Sequence, residues 1–459
     1  MFNTTTYVKR RDRLKKQVGS GILLFLGNED SPMNYTDNPF HFRQDSTFLY
    51  YFGLNSAGLN AIIDLDEDRE IIFGNELTIE DIVWMGTQPT LQEKSRMVGI
   101  KETAPAVELK EYIEQVKRKQ GKIHFLPPYR AEHSLKYFNL LDIHPEETAG
   151  LASIEFIKAV IAQRNIKSEE EVAEIEKAVN TSADMHIAAI KIAKAGMTEA
   201  EVAAVVEQIA LASGGQISFP VIATIHGETL HNHYHGNTLN EGDMFLLDAG
   251  AETAMGYAGD LSSTFPVGKK FSSRQKEIYN IALAAHEAAV AALKPGVKFK
   301  DIHLLACKTI ASGMKDMGFM RGDVDEAVAA GAHALFFQCG TGHMMGLDVH
   351  DMENLGEAYV GYEGENKSTQ FGLKSLRLAR ELKPGYVLTI EPGIYFIPEL
   401  IDLWKAEKKL TQFINYDKVE TYKDFGGLRN EEDFLITSGG YKLLGKPVPK
   451  TIDEVELLR

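Results

Sequence analysis

The sequence predicts two domains, an α/β domain over residues 1–163 and an α+β domain over 164–459, and three observations carry that division. At 459 residues the chain exceeds what one hydrophobic core usually serves. Its first third alternates short apolar strands with helical stripes. Beyond residue 168, two capped helices lead into strand-rich sequence, and that order then recurs. The composition, 44% hydrophobic and 25% charged with no low-complexity tract, is that of a globular protein.

The first domain opens on "YVKRRDRLKKQVGSGILLFLG", basic and then apolar. Its apolar run covers only Ile22–Leu26 before the polar "GNEDSPMN", so a buried strand after a basic helix fits better than a signal peptide. "LNAIIDLDEDREIIFG" predicts a hairpin around the polar tip Asp66–Arg69. Leu109, Tyr112, Ile113 and Val116 fall at i, i+3, i+4 and i+7, a helical stripe, and "GKIHFLPP" predicts a strand closed by prolines.

In the second domain, Ser168 with Glu171, Thr198 with Glu201 and Ser272 with Gln275 have the spacing of capping boxes. Each precedes a helical pattern; the first ends at Gly196, the second at the glycines of 213–215, the third at Pro295-Gly296. Helix, helix, then sheet occurs twice, a faint sign of internal duplication without residue-level repeats.

A net charge of −16 argues against nucleic acid or an anionic membrane surface as partner. No run approaches the ~20 apolar residues of a membrane span. The only cysteines, Cys307 and Cys339, make no disulfide framework, and a reducing, cytoplasmic setting is expected.

Chemistry concentrates in carboxylates that end apolar strands. In "FLLDAGAETAMGYAGDLSSTF" a buried-looking strand runs into Asp248, turns through a glycine-rich tip and returns to Asp260. Glu391 ends "YVLTIE", His343 lies between glycines in "CGTGHMMGLDVHD", and Glu431 lies in "GGLRNEEDFLIT". Were that last segment one strand, Arg429, Glu431 and Asp433 would share a face, and Arg429 would hold Glu431 ionised and oriented. Singly, each residue has an ordinary role available: a turn aspartate, a core or surface histidine, an acid on an exposed edge strand. Together they need positive partners, because charge at the end of a buried strand is costly unpaired. Four carboxylates match two divalent cations, and oxygen donors with one imidazole favour Mn²⁺, Co²⁺ or Fe²⁺ over a thiolate-rich zinc site. Two such ions would acidify a bridging water and polarise a carbonyl, which makes metal-assisted hydrolysis the reaction class.

The order Asp, Asp, His, Glu, Glu resembles the pita-bread metallopeptidases. "FHFRQDSTFLYYFGL" and "VWMG" resemble the N-terminal domain of aminopeptidase P and prolidase, and "GTGHMMGLDVHD", "GLKSLRLARELKPGYVLTIEPGIYF" and "FGGLRNEEDF" are most similar to prolidase. The resemblance covers nearly the whole chain. It implies a creatinase/prolidase-like N-terminal domain used in oligomerisation and at the pocket rim, then a pita-bread catalytic domain. Asp248, Asp260, His343, Glu391 and Glu431 become the ligands of two divalent ions, Mn²⁺ foremost, with Co²⁺, Fe²⁺ or Zn²⁺ as alternatives.

By position, the resemblance makes His231 and His350 catalytic donors to the tetrahedral intermediate, and Glu391 the proton shuttle. Arg377 becomes the arginine that binds a substrate carboxylate, and Arg429 orients Glu431 and closes the pocket. Trp84 matches a tryptophan that approaches the partner subunit's active site. Ordinary alternatives are a supporting histidine for His350, a solvated arginine for Arg377 and a core aromatic for Trp84. Two departures stand out. The aspartates are twelve residues apart where relatives commonly have eleven, and Cys339 stands where relatives place a histidine.

The expected function is hydrolysis of Xaa-Pro bonds in small peptides by a homodimeric Xaa-Pro dipeptidase. Its first rival is an aminopeptidase P acting on longer peptides; the second is a catalytically silent binding module.

Overall fold

Residues Ile22–Leu26 (β1) are buried at every position because the strand lies inside a sheet, flanked on both sides. The computed structural model describes residues 1–459, which cluster into two units: Met1–Arg164 with Met352–Tyr359, and Asn165–Asp351 with Val360–Arg459. In the first unit, β1 is joined by Asn60–Asp64 (β2), Arg69–Phe73 (β3), Glu102–Ala104 (β4) and Ile123–His124 (β5) in the order β4-β3-β2-β1-β5. The hairpin expected around Asp66–Arg69 is the antiparallel β2–β3 pair, with Ile62 opposite Ile71. The basic segment is the helix Thr4–Val18. Its Arg11 is buried, with Nε 2.9 Å from Glu70 Oε2 and its other nitrogens donating to the Tyr51 and Val98 carbonyls. A buried guanidinium is tolerated because each donor is matched.

The second unit repeats a helix pair followed by strands. The helices Glu169–Ile192 and Glu199–Ala212 start at reciprocal capping boxes, Ser168 with Glu171 and Thr198 with Glu201. A third box, Ser272 with Gln275, opens the helix Ser273–Ala291, which stops short of Pro295. Each box gives side-chain acceptors to two backbone N–H groups that a helix start leaves unpaired, about 1 kcal/mol per cap. After the first pair come Gln216–Ile217 (β6), Ile222–Thr224 (β7), Met244–Ala249 (β8), Ala251–Glu252 (β9) and Leu261–Pro266 (β10). After the second pair, Ser273–Ala291 and Phe299–Asp316, come Val387–Ile390 (β11), Gly393–Tyr395 (β12), Gly427–Arg429 (β13), Glu432–Thr437 (β14) and Gly440–Leu443 (β15). Two antiparallel sheets, β10-β8-β7 and β11-β14-β15, result, with the short pairs β12-β13 and β6-β9. No helix is long and apolar enough to cross a membrane.

One register decides the geometry of the aspartates. Asp248 lies opposite Ser262 and Ala249 opposite Leu261; the same register continues to the bridge between Glu252 and Ala258. The ladder therefore carries no bulge, and the tip is Thr253–Tyr257, closed by Gly256 N–H to Thr253 O at 2.7 Å and Thr253 N–H to Tyr257 O at 2.9 Å. The longer Asp248–Asp260 interval is absorbed outside the paired strands. Because side chains alternate, Asp248, Asp260 and Ser262 project from one face. Gly259 lets the hairpin approach the helix Glu169–Ile192: a Cβ there would lie 2.8 Å from Val179 N.

The segment expected to run as one strand through Arg429, Glu431 and Asp433 is divided. β13 ends at Arg429 and pairs with β12, whereas β14 begins at Glu432 and pairs with β11. Asn430 and Glu431 cross between them, and Glu431 N–H donates to Ser262 O at 3.0 Å. Nor is this an exposed edge: Arg429, Asn430, Glu431, Glu432 and Asp433 are all buried.

Candidate metal centre

Five elements bring the predicted ligands together. Asp248 and Asp260 come from the β8/β10 hairpin and Glu391 follows β11, while Glu431 lies at the β13–β14 crossing. His343 is held on a strap along β11, with His343 N–H to Thr389 Oγ1 at 3.2 Å and Thr389 N–H to His343 O at 3.0 Å. Gly342 permits that approach, since a Cβ on it would fall 2.0 Å from Thr389 O. All five line one cavity of about 210 Å³, together with His231, His350, Cys339 and Arg429.

Ligand atoms of Asp260, His343 and Glu431 all lie within 4.8 Å of one another. His343 Nε2 is 3.3 Å from Asp260 Oδ2 and 3.5 Å from Glu391 Oε1. Asp248 joins through its ion pair with Arg429, Nη2 to Oδ2 at 2.5 Å. Arg429 Nε donates to Ser262 Oγ at 2.9 Å and Nη1 to Tyr395 OH at 2.7 Å. Ser262 Oγ in turn donates to Glu431 Oε2 at 2.8 Å. Arg429 thus favours the ionised form of Glu431 by its charge, but bonds Asp248 directly and Glu431 through Ser262. The break at Asn430–Glu431 is the cause, because it removes the shared strand face that would have set the two side by side.

The electrostatics call for cations. Burial, then the repulsion of Asp260, Glu391 and Asp248, drives the Glu431 carboxyl well above the ordinary carboxylate range. Burial raises Asp260 as well, with Asp248 adding repulsion, and pushes Glu391 up to about 7. Burial of the His343 ring opposes its protonation, but the Asp260 hydrogen bond and the Glu391 charge outweigh it and raise its pKa. Asp260 Oδ1 and Glu431 Oε1 are buried without any hydrogen-bond partner. Such atoms cost on the order of 1–3 kcal/mol each unless something positive meets them. Crowded carboxylates, orphaned oxygens and one imidazole make a donor set that fits divalent ions.

The remaining predicted residues divide. His231 stands on the cavity rim; partial burial of its ring, then the charge of Arg429, lowers its pKa, and Arg377 adds to the effect. His350 packs edge-on against His343, ring centroids 4.3 Å apart. Arg377 is half-buried and electrostatically coupled to His231, but it does not line the cavity. The Cys339 thiol faces the cavity; burial, then the Glu391 charge, pushes its pKa to about 12, so it stays neutral. Trp84 belongs to the first unit, on the helix Ile79–Met85, and at 81% exposure it is no core aromatic.

Three supporting residues escaped the sequence reading in their roles. Ser262 and Tyr395 anchor Arg429, and Asp433 Oδ2 accepts the Asp260 N–H at 3.0 Å, fixing the backbone of a ligand. Asp433 could have been marked by its place beside Glu431; nothing local distinguishes Ser262 or Tyr395.

The model of metallopeptidase family M24 matches residues 173–438, and that of the aminopeptidase P N-terminal domain matches residues 7–124. The chain is 30% identical to the Xaa-Pro dipeptidase of Homo sapiens over 469 aligned positions, covering 97% of this chain and 90% of that protein. It is 29% identical to a probable Xaa-Pro aminopeptidase of Aspergillus niger, covering 98% and 96%. Zinc-substituted E. coli aminopeptidase P in complex with product superposes with a TM-score of 0.82 at 26% identity, over 100% of this chain and 98% of that one. The second unit has the pita-bread fold, and the chain belongs to metallopeptidase family M24.

Proposed function

We propose that the chain hydrolyses the peptide bond before a proline, with Xaa-Pro dipeptides as preferred substrates. The observation that carries this reading is the cavity. It is lined by the carboxylate cluster and by the apolar Phe219, Pro220, Ile222, Leu230 and Val349, and about 210 Å³ is small beside the roughly 300–1,000 Å³ of pockets for larger ligands. An apolar wall suits a proline ring, and the Arg377 charge near the His231 rim suits the carboxylate of a C-terminal proline.

Asp248, Asp260, His343, Glu391 and Glu431 would hold two divalent ions, Mn²⁺ foremost. When bound, these supply the Lewis acidity that polarises the scissile carbonyl and acidifies water. Glu391 carries the proton from water to the proline nitrogen, which has no N–H of its own. His231 and His350 donate to the oxyanion as it develops. Arg429 keeps Asp248 aimed into the site. Trp84, on an exposed helix with Ile79 and Val83, suits contact with a second copy in a cytoplasmic homodimer, the assembly we favour.

A second reading, removal of the first residue from longer Xaa-Pro peptides, is favoured by the whole-chain superposition on aminopeptidase P. Turnover of Xaa-Pro against Xaa-Pro-Xaa separates the two. The dipeptide should be cleaved faster, and Arg377→Ala should reduce its kcat/KM by about 10–100-fold, the worth of a charge-assisted contact, while sparing the tripeptide. Equal or better cleavage of the tripeptide would establish the aminopeptidase reading.

A further inference from the structure

Behind the catalytic strap, the second unit holds another cluster of ligand-type side chains. His303 and Cys307 lie one turn apart on the helix Phe299–Asp316, and His333 lies on the 3-10 turn Ala332–Leu335. All three are fully buried, and their ligand atoms lie within 4.8 Å of one another. We propose that His303, Cys307 and His333 form a second, mononuclear metal site, specific for Cu⁺.

The geometry is that of a preset N₂S donor set. His303 Nδ1 is 2.8 Å from Thr341 Oγ1, which leaves Nε2 to face Cys307 Sγ at 3.5 Å. Metal-bound histidines are characteristically oriented in this way through the other ring nitrogen. Bond lengths of about 2.0 Å to nitrogen and about 2.3 Å to sulfur, opened to about 110–120°, place those two donors about 3.5–3.7 Å apart. His333 supplies the second observation: both of its ring nitrogens are buried with no hydrogen-bond partner. The Val328 carbonyl is near enough to influence the ring but lies outside hydrogen-bond geometry. A central cation would satisfy a nitrogen that the fold otherwise leaves orphaned.

Charge selects the ion. Burial dominates the acid–base behaviour of His303 and His333; apart from the His333 ring acting on His303, no charged side chain contributes to either. A divalent ion with one thiolate would leave a net positive charge in this apolar interior, with no fourth protein ligand. Cu⁺ with one thiolate is neutral, and soft sulfur donors favour it. Binding replaces the Cys307 S–H bond with S–Cu and releases that proton to solvent.

The test uses the full chain with its carboxylate centre preloaded with Mn²⁺, then Cu⁺ added anaerobically against a competing Cu⁺ chelator. One equivalent should be retained, with one sulfur and two nitrogen neighbours by X-ray absorption. Cys307→Ser and His333→Leu should each abolish retention, and Cys339→Ser should preserve it. Absence of a retained equivalent, a copper shell without sulfur, retention that depends on Cys339, or Zn²⁺ held in preference to Cu⁺ would each overturn the proposal. The absorption measurement on the unmutated chain, paired with Cys339→Ser, decides the matter even if the core variants do not fold.

Discussion

Arg429 and Asp248, 181 positions apart in sequence, meet as a buried ion pair with Nη2 2.5 Å from Oδ2. The same guanidinium bonds Ser262 and Tyr395, so one cation fixes a predicted ligand to two strands. Removing it leaves Asp248 buried without compensation. Arg429→Met should destabilise the metal-free protein by about 3–5 kcal/mol, and less once metal is loaded, because the ions then supply the missing positive charge. Denaturant titrations with and without chelator measure the difference. An equal loss in both states would mean that Arg429 serves packing alone.

The tip Thr253–Tyr257 lies outside the ladder, so deleting Met255 should leave both aspartates on one face and metal uptake intact. Inserting one alanine between Leu261 and Ser262 moves Asp260 to the opposite face and should abolish uptake. Metal content of the two purified variants checks this, and loss in the Met255 deletion would contradict the assigned register.

Buried histidines set the acid limit of stability. His186 Nδ1 lies 2.9 Å from Ser263 Oγ and Nε2 lies 2.9 Å from Ala249 O, and burial pushes its pKa to about 4. Its unfolded pKa is about 6.5, so between those values the unfolded chain binds the proton and the folded chain does not. Stability from this group is complete above about pH 6.5, falls by about 1.4 kcal/mol per pH unit on acidification, and levels off below about pH 4. His186→Gln should flatten the pH dependence of unfolding in that window by one proton; an unchanged slope would show that His186 is already protonated in the folded protein.

What could be read from sequence was what is set locally. Ser168–Glu171, Thr198–Glu201 and Ser272–Gln275 are capping boxes because cap and partner lie within one turn. The apolar approach to Asp248 and to Glu391 marked both as ends of buried strands. Pairings across the chain were not legible. Arg429 stands two positions from Glu431 in sequence, but the chain changes sheets at Asn430–Glu431 and turns the guanidinium to Asp248. Ser262 bonds Glu431 across 169 positions, and a serine in a strand gives no local sign of such a partner. Asp433 likewise depends on where β14 meets the hairpin, which alternation alone does not specify.

The proposed function rests on Asp248, Asp260, His343, Glu391 and Glu431 forming one dinuclear centre. Equilibrium dialysis against Mn²⁺ followed by metal analysis tests it most directly, comparing the unmutated chain with Glu431→Gln. Two ions per chain, falling to one or none in the variant, is the predicted result. One ion or none in the unmutated chain, or two in both proteins, would contradict it.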